Sequence, residues 1–230
     1  MTPLRIVAAG DAALVAEFDD RIDVDVNAHA VALAEHVRAQ AVRGVKDVVP
    51  TFRSVAVYFD PLHTDIDALA ATLRSAAPTN EQARSTEVIE VPVCYDSDYG
   101  PDLEDIARRA GLDADTVVSI HTDRAYRVFM LGFMPGFAYL GTVDARIAAP
   151  RQASPRLQVP AGSVGIAGQQ TGIYPAQTPG GWNIIGRTPL RTWRPAAERP
   201  ALFRAGDIVR FRRIDRATFE NVAATQDDAA

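Results

Sequence analysis

Seven of the chain's 15 glycines fall between positions 159 and 189, in VPAGSVGIAGQQTGIYPAQTPGGWNIIGRTP. Glycine lets the backbone take positive φ and lets another object approach its N–H and C=O groups. From Arg124 onward, short apolar runs are broken by Gly or Pro, the texture of a β-rich barrel or sandwich with elaborate loops. Gly162, Gly165 and Gly168 recur at three-residue steps before Gln169, Gln170 and Thr171. Such a stretch would present amide donors and acceptors to a small polar substrate bearing carbonyl or carboxylate groups. Barrel-corner glycines and hairpin turns are the alternative. Trp182 and Asn183 directly after Gly180 and Gly181, with Arg187 beyond, favour a site, because a corner needs no apolar plate, amide and cation together.

The first 80 or so residues read differently. ALVAEF (13–18), VKDVVPTF (45–52) and SVAVYF (54–59) are strand-like. Between the first two, Val26, Ala30, Leu33, Val37 and Ala41 stack in one stripe of a helix that Asp23 or Asp25 would cap, with Gly44 beyond its end. A second helix is expected over DIDALAATLRSAA, stopped before Pro78. The order strand, helix, strand, strand, helix predicts a two-layer α+β unit of the ferredoxin-like kind over 1–84. Positions 77–86, polar and aperiodic, read as a linker. The β-rich domain is expected over 85–222, opening with strand VIEVPVCY and two short helices, one ending at Gly111 and one starting from Asp113, and closing with strand DIVRFRRI. Residues 223–230 read as a frayed tail.

With 47% hydrophobic residues the chain can bury a full core, and a net charge of −5 gives no footprint for a nucleic-acid partner. Every apolar run is too short to span a membrane, and the start lacks a signal-like pattern. The single cysteine, Cys94, lies in a strand pattern and reads as an inert small hydrophobe. A cytoplasmic location is expected. In YRVFMLGFMPGFAYLG (126–141), Tyr126, Val128 and Met130 alternate as in a strand before Gly132, Pro135 and Gly136 turn the chain and present Phe133, Phe137 and Tyr139. A pocket wall and a core corner fit that composition equally.

GFMPGFAYLG followed by PRLQVPAGSVGIAGQQTGIYPAQTPGGWNIIGRTPL closely resembles the family that contains the B-type subunit of the bacterial 5-oxoprolinase, the sporulation kinase inhibitor KipI and proteins labelled allophanate hydrolase subunit 1. GDAALVAEF, VVPTFRSVAVYFDP and YGPDLEDIARRAGL extend the likeness over nearly the whole chain. The resemblance implies a ferredoxin-like α+β domain followed by a cyclophilin-like β-barrel. It implies a companion C-type barrel subunit, in a heterodimer or heterotetramer, with which 5-oxo-L-proline is opened to L-glutamate at the expense of ATP, a third subunit completing the system. The shared site it implies is lined by Phe133, Pro135, Gly136, Phe137 and Tyr139. Gly165, Ala167, Gly168, Gln169, Gln170, Thr171 and Tyr174 of the 165–174 loop join them, as do Pro179, Gly180, Gly181, Trp182 and Asn183.

The chain's own chemistry limits that implication. Its single lysine, Lys46 in RGVKDVV, makes no P-loop, so ATP is expected in a non-standard site or mainly on or with the companion. A Ser/Lys amidase set cannot be built in a β-rich half without lysine, which sets allophanate hydrolysis aside. Lacking a biotin-carrying lysine motif, the chain would be the acceptor half of any biotin-dependent, urea-type carboxyltransferase. An inhibitor of a histidine kinase, docking through an apolar patch at Phe133 and Phe137, is a further reading. His29 and His36 edge the first helix's apolar stripe without further ligands, His63 reads as a turn residue, and no metal site is expected. His121, at a position where the family carries His, would suit lactam opening as a near-neutral acid or base; a hydrogen bond at a helix end is the alternative. Arg127, Arg156 and Arg187 are candidates for a two-pronged hold on a carboxylate, each against a salt-bridge role.

Overall fold

The computed structural model describes residues 4–75 and 88–227. The chain divides into two compact units, with the boundary between residues 85 and 86. The linker expected at 77–86 lies outside the described residues.

The first unit runs β1 (Arg5–Ala8), β2 (Ala13–Glu17), α1 (Val24–Ala39), β3 (Val45–Pro50), β4 (Ser54–Phe59), α2 (Ile66–Ser75). The Asp23 carboxylate starts α1 by accepting from the amides of Asp25 and Val26. Ala41 stands beyond the helix at φ +45, so the apolar stripe ends at Val37. One core collects Val55, Val57 and Phe59 of β4 with Ala30, Leu33 and Val37 of α1 and Leu69 and Leu73 of α2. The alternate residue Tyr58 is exposed, as period two requires of a sheet covered on one face. The strands form an antiparallel sheet of order β1-β2-β4-β3. Here the structure departs from the expectation. A ferredoxin-like unit takes the strand beside β2 from after α2, whereas this edge is filled by RIVA, a run of four residues ahead of the first expected strand. RIVA reaches it through a turn at Gly10 (φ +71), closed by the Ala9 amide donating to the Ala13 carbonyl at 2.9 Å.

In the second unit β5 (Val88–Cys94) leads to α3 (Leu103–Ala110) and α4 (Ala114–Thr122). The first helix stops at Gly111 in the left-handed region and the second starts from the Asp113 carboxylate, which accepts from the Thr116 amide. The strands β6 (Ala125–Leu131), β7 (Ala138–Gly141), β9 (Ser163–Ala167), β10 (Gln170–Ile173), β12 (Asn183–Arg187) and β13 (Ile208–Ile214) close with β5 into a barrel ordered β10-β7-β6-β13-β5-β12-β9. Between β7 and β12, β8 (Arg156–Val159) pairs with β11 (Thr178–Gly180) in a separate ribbon. Val91, Val93, Val128, Leu140, Val164, Ile166, Ile173 and Phe211 fill the barrel. The tail expected to fray from 223 instead continues α5 (Arg216–Asp227). Phe219 anchors that helix 4.4 Å from the Tyr99 ring, beside Cys94 and Ile214. Among the described residues no helix is long and apolar enough to cross a membrane.

Candidate functional site

Alternation along the barrel strands separates two layers. Ala138, Leu140, Val164, Ile166 and Ile173 belong to the barrel core, while Phe137, Ala167, Tyr174, Trp182 and Ile184 form a second buried cluster with Tyr139 packed against it on the outer side. Phe137 is the hub of that layer, edge-on to Phe133 at 5.5 Å, Tyr139 at 4.8 Å, Tyr174 at 5.2 Å and Trp182 at 5.5 Å. The glycines explain how the rings come so close to the strands. A methyl group on Gly172 would lie 3.0 Å from the Trp182 ring and 3.2 Å from Phe137, and one on Gly165 would lie 3.1 Å from the Trp182 Cβ. One on Gly180 would press into the Tyr174 ring, and Gly162 (φ +80) and Gly186 lie tight against the backbone of Thr188 and Cys94. Gly168, at φ +59, is an open hairpin tip, and Gly181 is loosely packed, with Pro155 at 3.6 Å. The seven glycines therefore do not share one role: Gly165, Gly172 and Gly180 lie against Trp182, Phe137 and Tyr174, Gly162 and Gly186 against backbone, and Gly168 and Gly181 have open or loose surroundings.

The remaining expected residues divide between surface and scaffold. Phe133 is 64% exposed at φ +68, a strained conformation for a bulky residue, whereas Phe137 is 1% exposed. The apolar patch expected from the pair is therefore Phe133's contribution and not Phe137's. Pro135, Gln169 and Pro179 are exposed and Gln170 is half-buried, while Gly136 (φ +82) packs beneath Trp193 and Pro175. Asn183 is saturated: Nδ2 donates to the carbonyls of Pro150 (2.8 Å) and Ile166 (3.1 Å), and Oδ1 accepts from Gln152 Nε2 at 2.9 Å.

His121 sits in the last turn of α4 with no exposed surface. Its Nδ1 is 2.8 Å from the Tyr95 hydroxyl, its Nε2 is 3.0 Å from Thr171 Oγ1, and its ring stacks on Phe211 at 4.5 Å. Burial pushes its pKa down to about 3, so the imidazole is neutral at ordinary pH. The structure brings His121 to Thr171 inside the barrel, on the side of β10 away from the aromatic layer.

The three expected arginines are all occupied. Arg127 is buried and donates to the Gly206 carbonyl at 3.4 Å. Arg156 grips Asp102 with both terminal nitrogens, at 2.8 and 2.6 Å, and the same carboxylate accepts the Ile184 amide at 2.6 Å. Arg187 Nε donates to the Ala161 carbonyl at 2.7 Å, its guanidinium 6.0 Å over the Phe219 ring. Sequence reading missed Arg151 and Gln152. Residues 149–152 form a strap over the aromatic layer. The Gly168 amide donates to the Ala149 carbonyl at 2.6 Å, Asn183 to the Pro150 carbonyl, and the Gln152 amide to the Gly181 carbonyl at 2.7 Å. A turn-rich run such as APRQASP has no periodicity to betray this; the anchors lie about 20 to 30 residues downstream. Among the described residues no group of three His, Cys, Asp or Glu is placed to hold a metal.

A profile described as carboxyltransferase domain, subdomain C and D, matches residues 4–203. The chain belongs to that family. Within it, the chain is 40% identical over 232 residues to a Bacillus subtilis (strain 168) protein named as the B-type subunit of 5-oxoprolinase, covering 94% of this chain and 95% of that protein. The crystal structure of TTHA0988 is similar with a TM-score of 0.82 and 36% identity over 88% of this chain, which spans 40% of that longer chain. Kluyveromyces lactis urea carboxylase shares the fold alone, with a TM-score of 0.75 at 17% identity, over 98% of this chain and 23% of that one.

Proposed function

We propose that the chain is the B-type subunit of a heteromeric, ATP-dependent 5-oxoprolinase that opens the lactam of 5-oxo-L-proline to L-glutamate in the cytoplasm. The observation that carries this is 40% identity across nearly all of both chains to a protein named as that subunit of 5-oxoprolinase. A multi-subunit assembly is supported by the word subunit in that name, and the barrel fold of the companion is what the family resemblance implies. The ligand would lie on the outer barrel face, its ring against Phe133 and Tyr139 and its amide toward Gln169 and Gln170, with the companion closing the other side and excluding water.

A P-loop lysine, the usual partner of a nucleotide's phosphates, has no counterpart in this sequence. Lys46, the chain's single lysine, lies on β3 of the first unit 3.7 Å from Asp60. On this reading ATP binds mainly on or with the companion, and no step through it is assigned to residues of this chain. The buried, neutral His121 supports the wall behind Thr171; on this reading it does not meet the ligand.

Co-purification with the products of neighbouring genes, followed by an assay for glutamate from 5-oxo-L-proline, tests the proposal. ATP-dependent turnover by the assembly and none by the chain alone is expected; turnover by the chain alone, or an inert assembly, would overturn it. The family profile favours a second reading, the acceptor half of a carboxyltransferase, whose mark would be dependence on a biotinylated partner.

A further inference from the structure

The strap over the aromatic layer holds one side chain that the scaffold does not use. Pro150 and Gln152 are tied to Asn183 and Gly181, the two residues flanking Trp182, so the backbone of Arg151 is fixed beside that ring. Its side chain is exposed, and among the described residues no carboxylate pairs with it. Its positive charge nonetheless reaches the layer below: burial pushes the Tyr139 and Tyr174 hydroxyls up, and Arg151 pulls both back. Arg127, Arg156 and Arg187 are committed to a carbonyl, a buried aspartate and a carbonyl with a ring.

We infer that Arg151 is the substrate-binding residue that takes the carboxylate of a small monoanionic amide lying on the outer aromatic face. This rests on the function proposed above and deepens it. The ligand class follows from the chemistry of the face. The exposed Phe133 ring and the half-buried Tyr139 ring accept a compact, flat body. Two glutamine side chains at the adjoining hairpin match an amide's donor and acceptor. A planar guanidinium matches a carboxylate with two parallel hydrogen bonds. Four hydrogen bonds hold the strap before any ligand arrives, so little ordering cost remains on binding. A lactam with a carboxylate on the ring carbon next to nitrogen satisfies all three requirements. The same lactam without the carboxylate lacks a partner for the cation.

The test compares wild type, Arg151→Gln and Arg151→Lys in the full assembly and as the full-length chain. In the assembly, Arg151→Gln is expected to raise KM for 5-oxo-L-proline about ten- to hundred-fold, with a smaller loss in kcat and partial recovery in Arg151→Lys. With the full-length chain, tryptophan fluorescence titrations compare 5-oxo-L-proline with 2-pyrrolidinone, which lacks the carboxylate. Wild type should prefer the former, and Arg151→Gln should lose that preference while keeping its urea midpoint, because the side chain is exposed. A wild-type assembly that turns over 5-oxo-L-proline while the Arg151→Gln KM is unchanged overturns this inference and leaves the proposed function standing. An inert wild-type assembly overturns the proposed function, and the titrations then decide: a carboxylate preference abolished in Arg151→Gln upholds the inference, and equal binding of the two lactams, or of neither, ends it.

Discussion

At Gly172, a hydrogen in place of a side chain decides how the outer layer packs. A methyl group there would meet the Ala138 carbonyl at 2.9 Å as well as the Trp182 ring at 3.0 Å, and neither is the loose end of a flexible chain. Gly172→Ala should therefore cost about 1–3 kcal/mol in urea unfolding and alter the tryptophan emission, the mark of a displaced indole. His121 makes a second prediction at this scale. Its folded pKa of about 3 lies below the 6.5 of an exposed histidine, so the unfolded chain takes up its proton first as pH falls. The stability tied to a neutral His121 is complete above pH 6.5 and is lost on the way to pH 3. His121→Gln should be less stable than wild type at neutral pH, and the gap between their melting temperatures should close across that window. What the sequence revealed here was partial. His121 stood out as the interesting histidine, but whether it faces ligand or core depends on Tyr95 and Thr171, 26 and 50 residues away.

Elements are joined by a few polar clasps that stripe-reading cannot see. Asp102, just before α3, binds Arg156 of β8 and the Ile184 amide of β12, so one buried carboxylate ties helix, ribbon and barrel. Asp102→Ala should destabilise the barrel unit by about 2–3 kcal/mol in denaturant unfolding, because it strands both an amide and a guanidinium. Arg156→Met should cost less, since Ile184 keeps its acceptor. Elements with regular apolar spacing were legible: α1 from its stripe, α3 and α4 from Gly111 and Asp113, β4 and β13 from alternation. RIVA was too short to signal β1. The α5 helix escaped notice because it rests on a single aromatic, Phe219, instead of a repeating face.

Across the whole molecule, each unit has a core of its own, and both tryptophans, Trp182 and Trp193, belong to the second. Tryptophan fluorescence thus reports the second unit, whereas far-ultraviolet circular dichroism reports helices and strands of both. Urea curves from the two probes should not superimpose; coincident curves would mean that the units melt as one. The change in texture near residue 80 announced this division, and the glycine-rich run announced a β-rich second half. What the run did not disclose is the occupant of the space each missing side chain leaves, because that depends on ring contacts distant in sequence. The order of strands also sets a timetable during synthesis. All four strands of the first sheet are complete by Phe59, so that sheet has every strand it needs before the first strand of the barrel is made. The barrel's opening strand must wait, since Val88 of β5 lies in parallel register with Ile208 of β13. Until β13 emerges, β5 has only its short pairing with β12 and lacks the parallel partner that runs its full length, which makes the second half the slower to mature and the more dependent on protection from wrong partners.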